Sequence, residues 1–445
     1  MGRNVLWGLL LGSVLLQAGC GWDKYDGEPV PDAGVGSGGD GAGGGDGLDG
    51  GPPRLAWLNG PGAFQDRFDT LDTTRWVRSD GWVSSEDFNA GWRADHVQVS
   101  GGNLLLKLDT TPCPSGCSGR PYAAGEMVTN RYHGYGRYEV RIKPARGSGM
   151  LTSFSIYTGP FDNTRWDSMD VAFLGRDTRR VQTNYVVAGT GHYNSVVLPF
   201  DAAAAFHTYT IEWTREGVHW YVDGKRIFSA TEGPLPAIPG RMLLNFWPGI
   251  GPTTESWMGT FSYPGSPLVT TVDEVRYGLA APKTVAVDFE TKDTWKVAIE
   301  APPEGGTASQ LDAFQSDLGH QGKMLVLSYS IRSGSRALVG LPLAAPQDWS
   351  NARYVNFWFR GTNTQDPFRL ELRSGGSFDT ASRFTYDFKE DQNGWKWISV
   401  PLSEFKDPDG QPVSASALLV VQGLALEPLG GVSHNVFVDD IEVER

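Results

Sequence analysis

The sequence predicts an all-β protein, a sandwich or barrel followed by a second strand-rich domain. Three observations carry that expectation. Short segments of alternating apolar and polar residues recur from about residue 55 to 278, among them "NLLLKL", "RYEVRIKP", "LTSFSIYTG", "TYTIEW" and "VHWYVDGKRIF", with turn residues between them. Asp223-Gly224 separates two such segments as a two-residue hairpin turn. No amphipathic helical pattern of three turns interrupts the series.

Composition narrows the partners. The chain has 445 residues, enough for two or three domains. Its 16 Trp and 12% aromatic content stand against only 20% charged residues, more aromatic surface than cores require and of the kind that sugar-binding proteins use. A formal net charge of -13, with no Lys/Arg cluster, argues against a nucleic-acid partner. The sequence names no protein partner.

Taken in order, the first element is "VLWGLLLGSVLLQAGC", in which Arg3 precedes an apolar run too short to span a bilayer. Residues 1–20 thus read as an export signal. Residues 21–54 are Gly-rich with scattered Asp and form a flexible tether that buries no apolar surface. Cys113 and Cys117, in "TPCPSGCSG", are too few to build a zinc site and read as a local disulfide in an exported protein.

The stretch "TRWDSMDVAFLG" reads as a strand with Ser168, Asp170 and Ala172 on one face and Met169, Val171 and Phe173 on the other. A second domain, residues 284–445, opens on "VDFE", continues through "NARYVNFWFRG" and "GWKWISVPLSEF", and closes on "NVFVDDIEV". It is long enough for its own core.

The first domain, residues 55–278, resembles the lichenase-like branch of glycoside hydrolase family 16. The segments that carry the likeness are "FQDRFDTLDTTRW", "FNAGWRA", "YHGYGRYEVRIKP", "FSIYTGP", "RWDSMDVAFLGRDTRRVQTNY", "FHTYTIEWT", "VHWYVDGKRI" and "MLLNFWPG". The resemblance implies a jelly-roll β-sandwich whose concave sheet forms a cleft for linear β-glucans and related polysaccharides. The family's catalytic strand reads Asp-Glu-Ile-Asp-Ile-Glu-Phe-Leu-Gly. Laid on residues 167–175, it puts Ser168 in the place of the nucleophilic Glu and Ala172 in that of the acid/base Glu, and retains Asp170 as the assisting carboxylate.

Retaining hydrolysis needs two carboxyl groups about 5–5.5 Å apart. Residues i and i+4 of a strand have Cα atoms roughly 13 Å apart, which two long Glu side chains can bridge and Ser with Ala cannot. The expectation is a cleft that binds without ordinary turnover. The alternative is a glucanase or transglycosylase in which Asp170 or Glu126 takes over a lost role, and a third reading is a structural envelope protein without a glycan ligand. No cofactor is expected for chemistry.

Further positions follow from the resemblance. Phe88, Glu126, Tyr157, Trp166, Asn184, Asn245, Trp247 and Trp257 fall where the family stacks on or hydrogen-bonds the glucan, with core packing as the alternative for the aromatics. Ser84, Val128 and Val186 depart from the family's Asn, Arg and Tyr, and its disulfide positions fall on Ala90 and Ala124. Asp273 stands where members bind a structural calcium ion, or is a plain surface Asp. The second domain resembles a galactose-binding-like β-sandwich of the family 11 carbohydrate-binding module type. There Glu290 and Asp440 form a calcium pair or a solvated acidic pair, and Trp358, Trp395 and Trp397 pack in a core or stack on sugar. The tail of the signal resembles that of a bacterial lipoprotein, with Cys20 as the acylated residue, which would anchor the chain to an outer membrane or cell surface; soluble secretion is the alternative.

Overall fold

The computed structural model describes residues 59–445 apart from 61, 114–116, 160–163, 292–294 and 303–305, so the signal, Cys20 and the tether lie outside the described residues. The chain is all-β, as the alternating segments predict. In the first domain six antiparallel strands form one sheet in the spatial order Trp76–Arg78, Tyr122–Thr129, Arg241–Pro248, Met150–Thr158, Asp167–Leu174 and Arg180–Val187. The facing sheet is built on Leu268–Leu279, which pairs with Asn103–Asp109 and Gly136–Lys143 and continues through His207–Trp213 to the hairpin Val218–Val222 and Lys225–Ala230. The hairpin turns on Asp223 and Gly224, both at positive φ (46° and 83°), which is the geometry a two-residue Asp-Gly turn selects.

Strand Tyr122–Thr129 belongs to both sheets. Ala124 pairs with Leu108 of the second sheet and Glu126 with Asn245 of the first. Gly125 sits at the crossing, where a Cβ would come within 2.5 Å of the His96 carbonyl oxygen, so only glycine lets the strand pass. Between the sheets lies a continuous core that includes Met127, Phe154, Val171, Phe173, Trp213, Trp220, Leu244 and Phe246. Met169, Val171 and Phe173 point into it, and that fixes Ser168 and Asp170 on the opposite, cleft-facing side.

The second domain is a sandwich of two antiparallel sheets. One runs Gln310–Ser316, Met324–Ser330, Val432–Glu444, Tyr354–Thr362 and Asn393–Pro401, with Lys283–Val287 also on Val432–Glu444; the other runs Lys296–Glu300, Arg336–Gln347, Val421–Pro428, Pro367–Ser374 and Ser382–Lys389. Phe357, Phe359, Leu370 and Leu426 fill its interior. Trp358 and Trp395 belong to neither core. They pack with Met324 and Val326 against Tyr132 and Ile238 of the first domain, and Trp397 borders the same cluster. The His320 ring lies against Trp358 at 3.7 Å and against Tyr132 at 3.9 Å between ring centroids. Beside this cluster Arg215 of the first domain makes a two-pronged ion pair with Glu444, at 2.8 and 3.3 Å.

Candidate functional site: a cleft on the first domain

The cleft, of about 410 Å³, runs over the open face of the six-stranded sheet. Phe88, Glu126, Tyr157, Trp166, Asn245 and Trp247 line it together with Ser168 and Asp170. Phe88 and Trp247 stack face to face at 3.7 Å and are almost fully covered, so they close one end of the floor more than they offer surface. Trp166 is half-buried, and its indole N–H finds no partner among the described residues.

The registers place the polar groups. Asp170 stands between Ser155 and Asn184 on the neighbouring strands, and Ser168 between Tyr157 and Val186. The Ser168 hydroxyl lies 3.5 Å from Asp170 Oδ2. Burial pushes the Asp170 carboxyl up to about 7 against the opposing pull of hydrogen bonds from Ser155 and Ser168. Glu126 is raised to about 7 for the same reason, although Ser79 Oγ donates to Oε1 at 2.6 Å and Asn245 Nδ2 donates to Oε2 at 3.3 Å.

Three residues expected at the site do not line the cleft. Ala172 is fully buried in the row of Ser153 and Gln182. Asn184 is covered, and its Oδ1 accepts from the Asn194 backbone N–H at 3.2 Å. Trp257 lies on a short helix, Pro252–Met258, that the alternation pattern did not indicate, and is packed into the core. Conversely, the cleft contains Trp82, Ser153, Ser155, Tyr193, Arg241 and Leu243, none of which the sequence reading singled out. Trp82, 46% exposed, follows the Asp80-Gly81 turn and carries no strand periodicity to mark it. Ser84, Val128 and Val186, the three departures from the family pattern, all line the cleft.

The metal positions fare differently. The Asp273 carboxylate is engaged by Arg141, which already neutralises the charge that calcium would need. Glu290 is exposed and accepts the Lys323 backbone N–H at 2.9 Å. Asp440 bulges out of the last strand at φ 42°, and burial together with Glu442 pushes its carboxyl up to about 7. Among the described residues no three His, Cys, Asp or Glu side chains are arranged to hold a metal ion, so a calcium ion there would have to take backbone carbonyls for most of its ligands. Cys113 and Cys117 are bonded to each other, and Cys117 packs so closely on Gly91 that no side chain fits there.

This two-sheet sandwich with its cleft has clear relatives. Residues 84–264 match the sequence profile of glycosyl hydrolases family 16. The β-glucanase of Bacillus subtilis is 41% identical over 219 residues, 48% of this chain and 86% of that protein. The chain belongs to glycoside hydrolase family 16. The β-glucanase of Brevibacillus brevis is 38% identical over 48% of this chain and 81% of its own length. Among solved structures, the Bacillus licheniformis β-glucanase aligns over 49% of this chain and 99% of its own with 38% identity and a TM-score of 0.46. Residues 284–443 match the family 11 carbohydrate binding domain, so a family 16 domain and a carbohydrate binding domain are joined in one chain.

Proposed function

We propose that this chain is an exported polysaccharide-binding protein, directed at a β-glucan-type polymer, whose family 16 domain no longer hydrolyses its ligand. The observation that carries the reading is the face of strand Asp167–Leu174, which offers the cleft one carboxyl where retaining hydrolysis needs two about 5–5.5 Å apart. Ala172 has no ionisable atom. The Ser168 hydroxyl lies against the Asp170 carboxyl, and among the described residues no His lines the cleft to activate it. The other carboxyl that lines the cleft among the described residues, Glu126, lies three strands from Asp170, on the order of 14 Å of interstrand spacing. What remains is a set of aromatic faces and hydrogen-bonding groups suited to holding sugar rings. Export and attachment to a bacterial membrane through Cys20 are supported by the amino-terminal sequence.

The test pairs reducing-end release with affinity electrophoresis on barley mixed-linkage glucan, laminarin and carboxymethylcellulose. Retardation by at least one polymer without release of reducing ends is expected, and Trp166→Ala should abolish the retardation. Release by the parent chain would overturn the reading. A second reading is favoured by one observation: burial brings both Asp170 and Glu126 up to about 7, the range of a working acid or base. It requires product release that peaks near neutrality and vanishes in Asp170→Asn.

A further inference from the structure

One row of residues crosses all six strands of the sheet, and all but its last member line the cleft. Its members in order are Val77, Val128, Leu243, Ser155, Asp170 and Asn184, each directly opposite the next. The row changes character at its middle. Three aliphatic side chains occupy the first three strands, while a hydroxyl, a carboxyl and an amide occupy the last three. The aliphatic half is open to solvent: Val77 is 52% exposed, and Val128 and Leu243 are half-buried. Trp82 and Val83 wall the same half of the cleft. Trp82 is braced edge-on by Trp92 at 6.4 Å, whose indole N–H donates to Ser84 Oγ at 2.8 Å, so the wall is held in place.

Unmodified sugar presents hydroxyls all round its edge, and a hydroxyl turned onto Val128 or Leu243 rather than toward Ser79, Glu126, Arg241 or Asn245, which line the cleft on the same side, gives up water without gaining a partner. A ring that carries a small apolar group at that edge has no such loss and buries a methyl against the aliphatic row. Resting on the glycan-binding reading above, we propose that this half of the cleft selects polysaccharide residues in which hydroxyls are capped by small apolar O-substituents, such as acetyl esters. Ser155, Asp170 and Tyr157 on the far side of the row then take the free hydroxyls of neighbouring residues. The two halves divide one ligand between them. Burying a methyl is worth about 0.8 kcal/mol, roughly a fourfold gain in affinity per group.

The experiment uses the folded chain with two probes of one backbone, barley mixed-linkage glucan and the same glucan lightly O-acetylated, compared by affinity electrophoresis and titration calorimetry. The acetylated polymer is expected to bind roughly fourfold or more tightly. Leu243→Asn and Val128→Asn, both at half-exposed positions that tolerate a polar side chain, should bring the ratio of affinities for acetylated over plain glucan to about one, whatever each does to the affinity for either polymer. Equal or weaker binding of the acetylated polymer, with the plain glucan still bound, overturns this inference alone. Binding of neither polymer overturns the glycan-binding reading and this inference with it. A preference that survives in both variants also refutes it, because the selection would then lie elsewhere.

Discussion

Glu126 is the cleft group whose replacement gives the most direct reading of the site. It is buried, raised to about 7 by desolvation, and held by Ser79 and Asn245. An unfolded Glu titrates near 4.5, so the shift is about 2.5 units, on the order of 3 kcal/mol. The sign follows from proton counting. Below about pH 4.5 both states are protonated and the group costs nothing. Between about 4.5 and 7 the unfolded chain ionises while the folded one keeps its proton, so stability falls by up to about 1.4 kcal/mol per pH unit; above about 7 the penalty is constant.

Glu126→Gln removes the titration. Its Oε1 still accepts the Ser79 hydroxyl, but its amide cannot accept from Asn245, so it forfeits one long hydrogen bond worth about 1 kcal/mol. The variant should be about 1 kcal/mol less stable than the parent at pH 4, equal near pH 5 and about 2 kcal/mol more stable at pH 8. For a domain of this size that is roughly 4–8 °C in melting temperature at the alkaline end. Tryptophan fluorescence or scanning fluorimetry across this range reads the difference. Parallel curves for parent and variant at every pH would refute the reasoning, because they would mean that water reaches Glu126 and that it ionises as an ordinary carboxyl.

Three further outcomes are expected. His320 is pinned between Trp358 and Tyr132 with neither ring nitrogen paired, and burial holds its pKa well below 6.5; as pH falls through 6.5 an undocked domain takes the proton first, so small-angle scattering should show the two domains separating in acid and His320→Phe remaining docked. Phe88→Ala should cost roughly 3–5 kcal/mol and all glycan binding, because Phe88 stacks on Trp247 and braces Trp92, whereas Trp82→Ala should lose binding with stability within about 1 kcal/mol. Because Arg141 already occupies the Asp273 carboxylate, EDTA should leave the melting temperature of the first domain within about 1 °C; a drop of several degrees would show a metal that this ion pair does not allow for.

What the sequence reveals and what it conceals divide along one physical line. Alternation in "TRWDSMDVAFLG" assigns each residue to a face, and the Asp-Gly pair fixes a hairpin, because both are local properties of a strand or turn. Whether a residue on the open face meets ligand is decided by what covers that face. Ala172 and Asn184 share their face with Asp170, yet packing from elsewhere in the chain closes over them and leaves Asp170 in the cleft. Trp358 shows the same limit in the second domain: its alternation with Phe357 and Phe359 marks two sides of a strand, and only the arrival of Tyr132 from the first domain makes the outer side buried.

The aliphatic row is the furthest from sequence of all. Val77, Val128 and Leu243 come from three distant segments, and no spacing within any one of them distinguishes a solvent-facing aliphatic residue from a core one. Each alone is an ordinary surface residue. Only the register that sets them side by side makes a patch, and an aliphatic patch among the polar groups of a cleft constrains the ligand. In this family member the strand Asp167–Leu174 carries the proposal that the cleft binds without hydrolysis. The strands beside it carry the separate proposal about selectivity, which the acetylated and plain polymers test, whereas reducing-end release tests the first.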